Sequence, residues 1–299
     1  MVVRPWHDAA SSEVKALYAA ETSRWARELQ WDIAPQWATV EIARGQQQLP
    51  GFIARSAGGN PVGWSFHLLH RHVLQVGALV ASEPAITARL VEAILASREA
   101  RAAASVMMFG YFDAPGLGDI LRRRGLGLEG YRYLRKPIEP AAAGPAFTET
   151  YDHSGALAMA DLLAASYPAI DPLRPFARNG HHDEWVEYVA QLTCGDACGV
   201  FDPALSPVAR SKFGGFEGAA LVTRVSPRVA HLAQVAVHPV SRGRQIGRHL
   251  VTSAVAAAQQ SGCDSVTLLV SERNEYALRL YERLGFEETG RDFCAAGRI

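Results

Sequence analysis

The sequence predicts an α/β protein: two tandem domains, each a mixed, mostly antiparallel sheet with a central βαβ crossover and helices on both faces. Three observations predict it. The chain has 299 residues, of which 48% are hydrophobic and 20% charged, enough apolar material for a core and a length that suits two domains better than one. A run at 136–147, Lys-Pro-Ile-Glu-Pro-Ala-Ala-Ala-Gly-Pro-Ala-Phe, has three prolines and no hydrophobic periodicity, so it reads as a stiff exposed linker. The sequence also repeats itself at an offset of 160. Arg123-Arg124-Gly125-Leu126-Gly127-Leu128-Glu129-Gly130 resembles Arg283-Leu284-Gly285-Phe286-Glu287-Glu288-Thr289-Gly290, and Ile86, Leu90, Val91 and Ile94 fall under Ile246, Leu250, Val251 and Ala254. The expected division is a domain at 1–138, a linker at 139–146 and a domain at 147–299.

In the front half, β-rich runs near 61–69 and 72–80 precede an apolar-periodic helix at 84–100, a strand at 104–110, a helix at 116–124 and a further strand. The back half repeats this order. Residues 217–225 and 229–237 are apolar β-rich runs around the turn Ser226-Pro227-Arg228, an antiparallel hairpin. A helix at 247–260 carries Leu250, Val251, Ala254, Val255 and Ala258 on one face and feeds a strand at 265–270. Asn274 is placed to cap the last helix, whose stripe is Ala277, Leu280, Tyr281 and Leu284; Gly285 stops it, and a strand returns from Phe286. A hairpin followed by a βαβ crossover gives a mixed sheet.

Composition removes several classes of function. Thirty basic and thirty acidic residues balance; residues 1–140 hold 16 and 13 of them, leaving 14 and 17 behind, so neither half is a nucleic-acid tail or a polybasic membrane patch. The start Met1-Val2-Val3-Arg4-Pro5-Trp6 lacks a signal-peptide pattern, and no apolar run approaches the roughly 18 residues a bilayer span needs. A cytoplasmic protein with no membrane or nucleic-acid partner is expected. Cys194, Cys198, Cys263 and Cys294 are too few for a disulfide framework, and the Cys194–Cys198 spacing is wrong for a zinc pair, so no metal is expected. Gly125-Leu-Gly-Leu-Glu-Gly130 matches Gly-x-Gly-x-x-Gly but leads from helix to strand, the reverse of a dinucleotide site.

The chemistry concentrates in Val235-Ala236-Val237-His238-Pro239-Val240-Ser241-Arg242-Gly243-Arg244-Gln245-Ile246-Gly247-Arg248, which takes a strand through a Gly- and Arg-rich loop into a helix. Free N–H groups at a helix start and a dipole of roughly half a positive charge attract an anion, and glycines let a phosphate reach the backbone. Arg242, Arg244 and Arg248 add fixed positive charge.

With Asn274, Tyr281 and Arg283-Leu284-Gly285-Phe286 behind it, this stretch resembles the GNAT superfamily of acyl-CoA-dependent N-acyltransferases, over about 150–299. That family's pyrophosphate loop reads Gln/Arg-x-x-Gly-x-Gly/Ala. Arg242 and Gly247 match its ends, while Gln245 stands where the middle glycine usually is. The resemblance implies two GNAT-like domains, the first degenerate, and an N-acetyltransferase using acetyl-CoA as co-substrate, acting as monomer or homodimer on a primary amine of a small molecule or peptide. Residues 242–248 would hold the pyrophosphate, and Val235, Ala236 and Val237 would line the pantetheine arm and acyl carbonyl. Asn274 would contact the cofactor beside the thiol, and Tyr281 would protonate the departing thiolate.

An ammonium acceptor needs a base; His231, Glu217 and Glu272 are candidates by their placement on or beside the central strands. His181-His182-Asp183-Glu184 begins the helical region that in the family covers the acceptor. At the constant offset, Ser82-Glu83-Pro84-Ala85-Ile86-Thr87 falls under Arg242–Gly247 and Leu121 under Tyr281, so the front copy would repel an anion. A non-catalytic acyl-CoA sensor and an interaction protein built of two worn copies are the rival readings.

Overall fold

The computed structural model describes residues 1–138, 149–195 and 198–298; the expected linker at 139–146 lies outside them. In chain order the first half carries β1 (Val2–Pro5), α1 (Ser11–Glu28), α2 (Gln36–Gly45), β2 (Gly51–Arg55), β3 (Pro61–His70), β4 (Val73–Ala81), α3 (Pro84–Leu95), α4 (Arg98–Ala102), β5 (Ser105–Phe109), α5 (Leu117–Arg123) and β6 (Gly127–Pro137). The second half carries α6 (Ala156–Ser166), α7 (His182–Cys194), β7 (Val200–Phe201), β8 (Val208–Arg210), β9 (Phe216–Ser226), β10 (Val229–Val237), α8 (Ile246–Gln260), β11 (Ser265–Ser271), α9 (Glu275–Arg283) and β12 (Glu287–Arg298). Among the described residues no helix is long and apolar enough to cross a membrane.

Two compact units result. The first comprises Met1–Arg24, Ile33–Gly130 and Asp292–Ile299, the second Trp25–Asp32 and Tyr131–Arg291. They are not the contiguous halves that the proline-rich run implies, because each closes its sheet with a strand from the other half of the chain. In the first unit β1, β2, β3 and β4 pair antiparallel in sequence, β5 lies parallel to β4, and Cys294–Arg298 of β12 runs antiparallel to β5. In the second, Tyr131–Pro137 of β6 pairs antiparallel with β11, which is parallel to β10, and β9 closes the hairpin with β10.

The repeat is visible in packing detail. A Cβ on Gly63 would lie 2.8 Å from Ile86 Cγ2 and from the Val80 carbonyl, and one on Gly218 would lie 2.9 Å from Leu250 Cδ1 and 3.0 Å from Ile246 Cγ2 and the Ala236 carbonyl. In both units the crossover helix rests on a strand at a glycine, since nothing larger fits. In the first, Ile86, Leu90, Val91 and Ile94 of α3 are buried with Leu74 and Val76; in the second, Leu250, Val251, Ala254 and Ala258 of α8 are buried with Ala220, Leu232 and Leu268. On the other face of the second sheet, α6 and α7 bring Met159, Leu163, Trp185 and Val189 against Ala219, Leu221 and Ala236.

The expected helix at 84–100 is two helices. Ser97 Oγ accepts the Ala100 N–H at 3.0 Å, so a new N-cap starts inside the apolar run. Helix α1 carries Glu21 and Arg24 at buried positions, ion-paired at 2.7 Å, and their charges interrupt the stripe that would announce it. The turn between β3 and β4 uses Arg71 (φ 47°) and His72 (φ 61°), the left-handed pair of a two-residue hairpin.

Strand equivalence also breaks the constant offset. The irregular residue of β4 is Gly77, between the pairs Phe66↔Ala78 and His67↔Val76; that of β10 is Ala233, between Leu232↔Val222 and Gln234↔Leu221. The strands thus correspond at 156, whereas β5 and β11 correspond at 160. Two residues, 82 and 83, join β4 to α3, and eight, 238–245, join β10 to α8. The segment at 82–87 therefore does not occupy the place of the second unit's loop, which the first unit lacks.

Asp292 yields a pH prediction for the first unit. Its Oδ1 accepts the Phe293 N–H at 2.7 Å, while Oδ2 is shut off from solvent with no partner. Burial pushes the carboxyl up to about 7, against the pull of the Arg24 charge. The folded state thus binds a proton that the unfolded chain, with a carboxylate pKa of about 3.9, has released. This contribution to stability is complete below about pH 4 and is lost as pH rises through about 7. Asp292→Asn is expected to flatten that slope in denaturation midpoints taken between pH 4 and 8; an unaltered slope would place the titration elsewhere.

Candidate active site

The two inner strands of the second unit part. Parallel pairing of β10 with β11 runs from Val229↔Ser265 to Leu232↔Leu268 and stops, although β10 continues to Val237 and β11 to Ser271. The parting begins at Ala233, the extra residue of a β-bulge against β9. Beyond it β10 stays bonded to β9, with Ala236 opposite Ala219 and the His238 N–H on the Glu217 carbonyl at 2.9 Å. Ladder alternation then turns the main-chain groups of Val235 and Val237 toward the vacated side and those of Ala236 toward β9. The Val237 carbonyl meets Ser166 Oγ at 3.3 Å and Arg242 Nε at 3.4 Å.

The loop after β10 leads into a helix start that no side chain caps. Gly243 (φ 78°) and Gln245 (φ 63°) both adopt the left-handed conformation, which in an L residue with a Cβ costs about 1–2 kcal/mol. Glycine is favoured at the Gln245 position because the backbone requires that φ. No side chain caps α8, whereas Asn274 Oδ1 caps α9 by accepting the Ala277 N–H at 3.1 Å. Gly247, in the first turn of α8, has Val237 Cγ2 and Leu280 Cδ2 as its nearest neighbours, 3.5 and 3.8 Å from where a Cβ would sit, so the helix start lies beside the strand end and α9. Arg244 pairs with Glu217 at 2.9 Å, and Arg242 Nη2 donates to the Ser166 carbonyl at 2.9 Å, binding the loop to the end of α6. Ile246 is half-buried and Arg248 is exposed.

Tyr281 is buried in α9, edge-on to Phe286 at 5.6 Å. Burial, with Tyr167 close by, pushes its phenol well above the usual value. Burial likewise pushes Tyr167 up to about 12 and Tyr188 well up. A hydrogen-bonded chain joins these last two: Tyr167 Oη donates to Gln234 Oε1 at 2.6 Å, and Gln234 Nε2 donates to Tyr188 Oη at 2.6 Å. Phe176 stacks on Tyr188 at 4.3 Å, and Trp185 on Tyr167 at 5.4 Å. Arg174 lies 4.7 Å over Trp185, with its N–H groups on the carbonyls of Pro168, Phe176 and Ala177.

Residues 235–237 form the open stretch of β10, Arg242 and Gly247 lie against its end, Asn274 follows β11 with its N–H on the Ser271 carbonyl, and Tyr281 lies within electrostatic reach of Tyr167; beside them stand Tyr167, Tyr188 and Gln234. Sequence reasoning missed these three because 67 and 46 residues separate the tyrosines from Gln234. The available signal was Gln234 itself, with His231 one of two polar residues in an otherwise apolar strand. None of the expected bases is free at the parting. His231 is buried where β10 and β11 still pair, bonded to Thr267 Oγ1 at 2.9 Å and 5.0 Å from the Trp31 ring, and burial pushes its imidazole down to about 3. Glu217 holds Arg244, and Glu272 pairs with Arg291 at 3.2 Å.

The first unit has the same strand parting without the opening. Pairing of β4 with β5 ends at Val76↔Met108, but the Ala81 N–H then donates to the Asp113 carbonyl at 2.7 Å and Val80 forms a parallel bridge with Asp113.

Residues 158–286, all within the second unit, match the model of the acetyltransferase (GNAT) family. An N-alpha-acetyltransferase, MAK3, from Arabidopsis thaliana is 46% identical over 56 residues, 19% of this chain and 30% of that protein. A mycothiol acetyltransferase from Brachybacterium faecium is 38% identical over 65 residues, 22% of this chain and 20% of that one. These alignments span less than a third of either relative. A GCN5-related N-acetyltransferase from Sphaerobacter thermophilus superposes with a TM-score of 0.62 at 16% identity, over 83% of this chain and 80% of that one. A tandem GNAT protein from the clavulanic acid biosynthesis pathway gives 0.55 at 15%, over 84% and 82%. Residues 158–286 thus match the acetyltransferase (GNAT) family, and the fold is similar to that of a tandem GNAT protein.

Proposed function

We propose that the second unit transfers an acetyl group from acetyl-CoA to a primary amine, with Tyr281 as the general acid. The observation that carries this reading is the open edge of β10 beside an uncapped helix start. The residues fit the co-substrate. Main-chain N–H groups of Ile246, Gly247 and Arg248, backed by Arg242, Gly243, Arg244 and Gln245, would receive the pyrophosphate. Val235 and Val237 would offer main-chain groups to the pantetheine arm and the acyl carbonyl, with Ala236 holding that strand to β9. Asn274 keeps its Nδ2 for the cofactor while Oδ1 caps α9.

The chemistry needs a donor for the carbonyl oxygen as it gains charge, and the Val237 N–H faces the parting. It also needs a proton for sulfur. The burial that raises the Tyr281 phenol keeps it protonated at any working pH and makes a thiolate formed beside it more basic, so the proton moves as the C–S bond breaks. The names of the relatives, acetyltransferases both, agree with this reading.

Acetyl-CoA is expected to bind once per chain in calorimetry, and Gly247→Glu to abolish binding with the fold intact, because a Cβ there meets only ordinary contacts and an acid at a helix start suits the dipole. A stoichiometry of two would contradict the single site. Tyr281→Phe is expected to lower turnover about a hundredfold or more with little change in acetyl-CoA affinity; wild-type single-turnover rates in that variant would make Tyr281 a packing residue only. Gln245→Gly should raise stability by up to about 1 kcal/mol by relieving the left-handed conformation, offset by the freedom of glycine in the unfolded chain. Its acetyl-CoA affinity should not fall. A tenfold loss at unchanged thermal stability would mean that the Gln245 amide is itself a ligand.

A further inference from the structure

We propose that Tyr167, Gln234 and Tyr188 seat the acceptor, and that this seat accepts a weakly basic primary amine in its neutral form, such as a peptide α-amino group, in preference to a lysine-like ammonium. The proposal rests on the acetyltransferase reading above and names its substrate class.

The hydrogen bonds carry the argument. Gln234 leads the stretch of β10 that has left β11, and its amide is consumed by the two phenols: Oε1 takes the Tyr167 proton and Nε2 gives one to Tyr188. Tyr167 is left with oxygen lone pairs and Tyr188 with its own O–H. The seat therefore offers one acceptor and one donor side by side. An α-amine of a peptide matches that pair, with an N–H for Tyr167 and the neighbouring carbonyl for Tyr188. A lysine ε-amine carries no carbonyl near its nitrogen.

Charge points the same way. From β10 the seat is faced by Gln234, from just past the end of α6 by Tyr167, from α7 by Tyr188, and from α9 by Tyr281, and Tyr131 of β6 and Cys198 lie within electrostatic reach of Tyr188. Gln234 carries no charge, and burial pushes the phenols of Tyr167, Tyr188 and Tyr281 and the Cys198 thiol up, so these stay neutral at working pH. The loop between α6 and α7 adds Arg174, a buried cation. The carboxylates near Arg174 are engaged: Asp171 with Arg273 at 3.0 Å and with the Leu173 N–H, Glu184 with the Asn179 backbone and side chain. An ammonium would lose its hydration here and face a cation.

An α-amine, with a pKa of about 7.7–8.0, is roughly one-third neutral at pH 7.5, and a lysine amine, at about 10.4, about one part in a thousand. The expected preference is about two hundredfold at equal total concentration. The reaction balances without a protein base. The nitrogen lone pair forms the C–N bond, the C–S bond breaks, the nitrogen releases one proton to water, and the sulfur takes one from Tyr281, which water restores.

The test uses the full chain with acetyl-CoA and three probes: a lysine-free peptide with a free N-terminus, an N-acetylated peptide with one lysine, and glucosamine. Products are located by mass spectrometry. The expected result is acetylation of the free N-terminus about a hundredfold or more faster than of lysine at pH 7.5, with kcat/KM rising with unit slope to a plateau at each acceptor's own pKa. Glucosamine used as well as the peptide would support the neutral-amine seat and overturn the role of the Tyr188–carbonyl contact. Gln234→Glu is expected to narrow the α-amine preference tenfold or more, and Tyr188→Phe to raise KM for the peptide more than it lowers kcat. Preference for lysine, or a pH profile fixed at one pKa whichever acceptor is used, would overturn the proposal while leaving the transferase reading intact. Binding of acetyl-CoA without transfer to any probe would instead overturn the transferase reading, and the seat with it.

Discussion

The parting of β10 from β11 is the constraint from which the rest of the second unit follows. A parallel pair of inner strands normally saturates its main-chain groups along its whole length, and leaving half of one edge unpaired is costly unless a ligand or water takes those groups. The bulge at Ala233 makes the parting geometrically possible, because the strand can bend there while keeping its ladder to β9. It also lets Ala233 and Gln234 face the same side, which brings a polar side chain under the aromatic layer of α6 and α7. One irregular residue thus opens the edge that would hold a thioester and aims Gln234 at the group that would attack it.

The first unit shows how little is needed to close such an edge while keeping the fold. It retains the bulge, at Gly77, the crossover helix resting on a glycine, and the parting of its inner strands. What differs is local. A two-residue connection replaces the eight residues that form the helix-start loop, and the segment after β5 folds back so that Asp113 satisfies the Ala81 N–H. The sheet repairs its own open edge, which is the cheaper solution when nothing is to be bound there. Function in this architecture is a matter of loops and edges, and the sheets beneath them are nearly indifferent to it.

What the sequence made legible was whatever is encoded locally. The Asn274 cap, the helix stripes on α3 and α8, the hairpin at 217–237 and the Arg242–Arg248 loop all depend on residues within a turn or two of one another, and each stands where the pattern puts it. The repeat was legible too, but a single offset of 160 could not carry through a loop six residues shorter in one copy. Strand exchange was not legible, since nothing in Gly127–Pro137 or Glu287–Arg298 encodes which sheet edge the strand joins. Helix α1 was masked by its buried Glu21–Arg24 pair, and the Tyr167–Gln234–Tyr188 chain by the sequence distance between its members. Gln245 was legible as an oddity and explained only by its φ.

The searched-for base illustrates how burial reassigns residue types. His231 is the residue type expected for the task and sits on the same strand, yet it lies two positions before the open stretch of β10 begins at Ala233. Instead the ring is enclosed by Trp31, Tyr133 and Thr267, where the charged form is so disfavoured that it stays neutral through the physiological range. The side chains that do reach the parting are phenols and an amide, groups that neither gain nor lose charge near pH 7. Under the proposed acetyltransferase reading such a site would receive a neutral amine rather than create one, and its rate at a given pH would follow how much of the acceptor is already in that form.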